Sequence, residues 1–120
     1  MKIGGRDIAC VVLGASSGGV FAINQLLQKL RVPISVPLVI TLHVTPHSTL
    51  VKSAFTQNHL LNIKEAEDKE MLQPGVVYFA PADYHLLLES KGYFSLSSEE
   101  PVCFARPSID VMFESAALAL

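Results

Sequence analysis

Two short apolar runs, separated by a glycine-serine turn and a helical pattern, constrain this chain more than any other feature. The first run, Ile8–Leu13, is continuous and centred on Val11 and Val12, as expected of a strand buried on both faces. A Gly-Ser turn spans Gly14–Gly19. Val20, Ile23, Leu26, Leu27 and Leu30 then recur at helical spacing, with Asn24, Gln25, Gln28 and Lys29 on the opposite side. Pro33 and Pro37 mark a loop, and the second run, Leu38–Leu42, ends at His43. Strand, helix and strand in this order predict a βαβ unit with parallel strands and a right-handed crossover.

The rest of the chain extends the same architecture. Ser48 is placed to cap a short helix carrying Leu50, Val51, Ala54 and Phe55. Asn62–Gln73 is acidic and polar, and Pro74-Gly75 is a turn signal. Val76–Ala80 reads as a strand stopped by Pro81. His85–Leu88 and Tyr93–Leu96 flank Ser90-Lys91-Gly92 and predict a hairpin. Pro107-Ser108 opens a helix with Ile109, Met112, Phe113, Ala116 and Ala117 on one face. The expected fold is α/β: a doubly wound, mostly parallel sheet with helices on both faces. Ala117–Leu120 has neither cap nor turn, so the sheet is expected to be truncated before its last strands.

Composition narrows the function classes. Half of the 120 residues are hydrophobic and 17% are charged, which suits a well-filled core rather than disorder. A net charge of -2 and the lack of any basic run predict neither a nucleic-acid partner nor an anionic membrane surface. The apolar run near the N-terminus is shorter than a signal-peptide core of about 7–15 residues. No stretch approaches the roughly 20 apolar residues of a membrane span. A cytoplasmic location follows as the expectation. Cys10 and Cys103 lie in separate apolar runs with no metal or redox spacing and read as buried, reduced thiols.

Gly14-Ala15-Ser16-Ser17-Gly18 satisfies G-x-S-x-G between a buried strand and a helix. Such a turn lifts one serine hydroxyl over the sheet edge, while the next backbone N–H and the helix N-terminus face a developing oxyanion. Ser16 is the candidate nucleophile, and Ser17 and Gly18 are the candidate oxyanion or turn residues. A phosphate cradle is the competing reading, because nucleotide-binding folds also turn on Gly and Ser after the first strand. Against it, Gly18-Gly19 is followed by Val20 rather than a further Gly-x-Gly, no acid stands near the tip of the second strand, and no Tyr-x-x-x-Lys pair occurs. A plain structural turn is the third reading. His43 at the tip of the second strand favours the nucleophile, since the two strands of a βαβ unit are adjacent or one strand apart and an imidazole there can reach a serine hydroxyl. His47 follows four residues later, but Pro46 breaks any helix that would align the two rings. His59 and His85 lack ligand-type neighbours. Neither metal nor cofactor is expected.

Four ordered blocks resemble the catalytic domains of bacterial chemotaxis protein-glutamate methylesterases. That family carries G-A-S-[ST]-G-G after its first strand, here Gly14–Gly19, and a histidine ending the next strand before a proline, here Leu42–Pro46. A third block is matched by Ala66, Asp68, Leu72, Pro74, Gly75, Val77, Tyr78, Ala80 and Pro81. The fourth, R-P-S-x-D-x-x-F, is matched by Arg106, Pro107, Ser108, Asp110 and Phe113. The resemblance covers essentially the whole chain and implies hydrolysis of glutamyl methyl esters, often with deamidation of glutamines, on chemoreceptor cytoplasmic regions. It implies Ser16 as nucleophile and His43 as general base. The family's third member, an aspartate in a later G-x-x-x-D-G loop, has no match in this chain, and neither has the usual N-terminal receiver domain.

The expectation is therefore one incomplete methylesterase-like catalytic domain over residues 1–120, inactive by itself. Its partner would be a methylated chemoreceptor or another methylated signalling protein, and a homodimer is possible. A non-catalytic remnant that binds a receptor or signalling partner is the alternative from another class, and a nucleotide-binding domain is a third. Asp110 is read as a helix-dipole residue, worth roughly 0.3–1 kcal/mol, rather than as the missing acid. Arg106 is read as a partner for Asp68 or Asp110, or as a group facing substrate carboxylates.

Overall fold

The computed structural model describes residues 2–16, 19–30, 34–43, 61–102 and 105–120. Along the chain these form β1 (Lys2–Ile3), β2 (Arg6–Asp7), β3 (Val11–Ala15), α1 (Gly19–Lys29), β4 (Leu38–Leu42), β5 (Asn62–Glu65), β6 (Val76–Phe79), β7 (His85–Leu88), β8 (Phe94–Ser97) and α2 (Ile109–Ala119). The helix expected after Ser48 lies outside the described residues. β1 and β2 pair as a two-stranded ribbon whose turn uses Gly4 and Gly5 at positive φ.

The main sheet has the order β3-β4-β6-β5, with each neighbouring pair parallel. β7 and β8 form a separate antiparallel hairpin. Alternation along the strands divides the core between two faces, as the period of two requires. Leu38, Ile40 and Leu42 of β4, with Val77 and Phe79 of β6, pack under α1 through Ile23 and Leu27. Val39 of β4, with Val76 and Tyr78 of β6, faces Met112 and Ala116 of α2 and Leu86, Leu88 and Phe94 of the hairpin. Every residue of β4 is buried. Each fully buried Val, Leu, Ile or Phe contributes about 1.5–3 kcal/mol, so this central strand is the best-anchored part of the sheet.

Several sequence expectations shift by a residue or a face. β3 begins at Val11 rather than Ile8 and continues through Gly14 and Ala15, because both pair with β4 (Gly14 with Thr41, Ala15 with Leu42). The turn therefore starts at Ser16. On α1 the buried stripe is Val20, Ile23, Leu27 and Leu30, and Leu26 turns outward at 40% exposure. On α2 it is Met112, Ala116 and Ala119, whereas Phe113 and Ala117 point about one residue's rotation away and are exposed. The polar segment after Asn62 contains an unanticipated strand, β5. It occupies one edge of the sheet, where Asn62 and Glu65 face water and only the side toward β6 needs partners.

Candidate active site

Parallel pairing of β3 with β4 sets the geometry of the site. Ala15 is the Cα partner of Leu42, and the next residue on each strand is Ser16 and His43. The His43 amide donates to Ala15 O at 2.8 Å, extending the ladder past both strand ends. Ser16 is exposed, and its carbonyl accepts from Gly19 N at 2.7 Å, which closes the turn into α1. Gly19 is required there, because a Cβ would overlap the Ala15 methyl. Ser17 and Gly18 lie outside the described residues. This is the C-terminal edge of a parallel sheet, where α/β folds place their ligand crevices.

The His43 ring is half-buried. Its Nε2 is shielded from solvent and has no hydrogen-bond partner among the described residues. An unpartnered buried ring nitrogen is uncommon, since most buried polar atoms find a partner. Beside the ring lies a pocket of about 200 Å³ lined by His43, Val102, Ala105, Ser108, Ile109 and Asp110. Ser108 caps α2, its hydroxyl accepting from Val111 N at 3.3 Å. Ile109 at the start of α2 packs so closely over β3 that a Cβ on Gly14 would meet its Cγ1 at 2.9 Å and its Cδ1 at 3.0 Å. The first glycine of the turn motif is thus a packing residue that lets α2 approach the site.

Asp110 occupies the first turn of α2, where its charge complements the helix dipole, and it lines the same pocket as His43. Arg106 pairs with neither Asp68 nor Asp110. Its Nε and Nη2 donate to Asp83 Oδ1 at 3.1 and 2.8 Å, and Nη1 donates to Ser98 O and Glu99 O at 2.9 and 3.2 Å. Asp68 instead accepts from Leu96 N at 2.9 Å. A guanidinium with all three nitrogens engaged is a structural clasp rather than a receptor for substrate carboxylates. Asp83 carried no sequence signal, because its partner is 23 residues away along the chain.

The remaining candidates divide simply. His47, His59 and Cys103 lie outside the described residues. Cys10 is half-buried, and desolvation raises its thiol pKa to about 11. Among the described residues no group of three or more His, Cys, Asp or Glu could hold a metal ion, and no helix is long and apolar enough to cross a membrane. His85, which has no ligand-type neighbour in sequence, is buried and bonded at both ring nitrogens.

Comparison with known proteins places this geometry. Residues 11–120 match the sequence model of the family described as CheB methylesterase. A relative from Leptospira interrogans is 42% identical over 107 residues, 88% of this chain and 55% of its own length. The protein-glutamate methylesterase/protein-glutamine glutaminase of Halalkalibacterium halodurans is 40% identical over 114 residues, 91% of this chain and 33% of that protein. The crystal structure of the Thermotoga maritima CheB methylesterase catalytic domain superposes with a TM-score of 0.84 at 31% identity, covering 94% of this chain and 62% of that one. The chain thus spans between a third and two thirds of these relatives. By the extent of the family match, and by a fold shared with a solved catalytic domain, the chain belongs to the CheB methylesterase family.

Proposed function

We propose that this chain carries the nucleophile and general base of a hydrolase that cleaves glutamyl methyl esters, and deamidates glutamines, on chemoreceptor cytoplasmic regions. The observation that carries the reading is the β3–β4 register, which sets Ser16 and His43 next to each other at the sheet's C-terminal edge. In the reaction, His43 Nε2 accepts the Ser16 hydroxyl proton as Ser16 Oγ attacks the ester carbonyl. The tetrahedral oxyanion is stabilised at the N-terminus of α1, the part of the turn for which Ser17 and Gly18 are the candidates by sequence motif. His43 returns the proton to the departing methanol, or to ammonia from an amide. Water then enters by the same route in reverse and releases the free glutamate. The shielded, unpartnered Nε2 supports this role, since a base already engaged by another donor would not be free to accept. The Ser16 hydroxyl does not reach it in this structure, and hydrogen bonds of this kind commonly tighten only when substrate binds. Acting on receptor cytoplasmic regions, the protein would work in the cytoplasm.

A serine-directed phosphonate tests the assignment without requiring full turnover. Labelling should map to Ser16, vanish in Ser16→Ala and slow roughly 10²–10⁴-fold in His43→Gln, the usual range for a general base. Methanol release from methylated receptor, with Ser16→Ala as control, tests the substrate. Labelling at another residue, or a rate indifferent to His43, would overturn the assignment.

A further inference from the structure

We propose that His85 is a positioning residue for this site, an inference that rests on the assignment of Ser16 and His43. His85 opens β7, is only 2% exposed, and takes no part in the chemistry described above. Its Nδ1 lies 3.2 Å from Ser108 N and its Nε2 lies 2.9 Å from Glu100 O. A backbone N–H only donates and a carbonyl only accepts. Both bonds therefore exist together only in the neutral ring with the proton on Nε2, which fixes the tautomer.

One partner, Ser108, lines the pocket beside His43, and the other, Glu100, precedes the opposite wall in the chain. Ser108 caps α2, whose first residues Ile109 and Asp110 form one wall. Glu100 leads into the other wall, where Val102 and Ala105 exchange both backbone hydrogen bonds at 2.9 Å. The preceding carbonyls, Ser98 O and Glu99 O, are held by Arg106, itself paired with Asp83 two residues before His85. Three successive carbonyls of the 98–100 segment are thus gripped by two side chains, and only His85 also holds the start of α2. Through Ile109 that helix start presses on Gly14, two residues before Ser16. Losing the ring would leave a buried N–H and a carbonyl without partners, and the strain would fall on the pocket walls rather than on the distant sheet.

The test compares His85→Gln, which offers an acceptor and a donor on one side chain, with His85→Leu, which offers neither. Three measurements are made on the 120-residue chain: thermal melts, the rate of phosphonate labelling at Ser16, and histidine-ring ¹H–¹⁵N spectra. Wild type should show His85 neutral and protonated at Nε2. His85→Gln should label within about threefold of wild type. Folded His85→Leu should label on the order of 10- to 100-fold more slowly, with displaced His43 ring signals, since sub-ångström to ångström misplacement has effects of that size. Folded His85→Leu with wild-type labelling and unmoved His43 signals would overturn the inference, as would a proton on His85 Nδ1. If His85→Leu does not fold, His85→Gln decides, and a folded variant with lost labelling would refute the two-bond argument. Wild type that never labels at Ser16, while His85→Leu still moves the His43 signals, would defeat the esterase assignment and leave the positioning role standing.

Discussion

The close approach of α2 to β3 makes Gly14→Ala a quantitative probe of how the site is held. Gly14 has no positive φ, so alanine suits its backbone, and the smaller unfolded-state entropy should stabilise by about 0.4–1 kcal/mol. Against this, the new methyl would overlap the branch of Ile109, including Cγ1 at 2.9 Å and Cδ1 at 3.0 Å. Because the contact involves the branch point and not a flexible tip, no single rotation relieves it, and overpacking of this kind costs about 1–3 kcal/mol. The net loss should lie between zero and about 2.6 kcal/mol, or up to roughly 10 °C in Tm for a chain of this size. Ile109→Ala removes every atom in the clash. Ile109 is half-buried, so its truncation should cost about 1–2 kcal/mol, below the 2–5 kcal/mol of a fully buried site. If the two changes were independent, the double variant would lose the sum. Relief of the clash predicts instead a double variant no less stable than Ile109→Ala alone, with a coupling of about 1–3 kcal/mol in urea or thermal unfolding. A coupling under about 0.5 kcal/mol, with Gly14→Ala still destabilised, would show that β3 itself rather than α2 resents the methyl. The packing argument would then be wrong.

Two further outcomes follow from named groups. Burial raises the Cys10 thiol from its ordinary value to about 11, so the folded protein should resist alkylation near neutral pH and become reactive only in alkali. Between pH 9 and about 11 the unfolded chain loses this proton first, so stability should fall as pH rises, and Cys10→Ala should make that slope shallower, the rest coming from Tyr78 and Lys64, which folding also raises; an identical slope in the variant would refute the attribution. Tyr78→Phe removes the acceptor of Gln73 N–H at 2.9 Å while keeping the ring's edge contact with Phe94. It should cost about 1–2 kcal/mol in urea unfolding with an unchanged m-value, and a neutral result would mean that water replaces the hydroxyl.

Much of this protein was legible from local pattern. The runs Leu38–Leu42 and Val76–Phe79 announce themselves because the two central parallel strands are buried on both faces and have no polar side to interrupt them, whereas Val11–Leu13, expected to be buried on both faces, is half-buried because β3 lies at one edge of the sheet. The Ser108 cap and the spacing of Met112 and Ala116 mark α2 in the same way. The candidates Ser16 and His43 are readable for a related reason, since each follows directly after such a run, and strand ends are where a parallel sheet exposes its side chains. The polar edge strand was hidden, although the apolar edge strand β3 was not. The polar Asn62–Glu65 becomes a strand only because β6 offers it hydrogen bonds. The outward turn of Leu26, Phe113 and Ala117 depends on how far each helix rotates over the sheet, which helical spacing leaves open.

What the sequence alone determined is the order of the apolar strands, the hairpin and the two described helices, the turn that carries Ser16, and the histidine that ends the next apolar strand. These depend on burial and backbone conformation within a few residues. Only the tertiary structure decided that β3 lies directly beside β4, that Arg106 grips Asp83, and that His85 joins Glu100 to Ser108. Those pairings span 15 to 27 residues of chain, and each donor has many acceptors of equal chemistry to choose from. The choice is made by the packing of helices on the sheet, which brings one acceptor within about 3 Å and leaves the others out of reach.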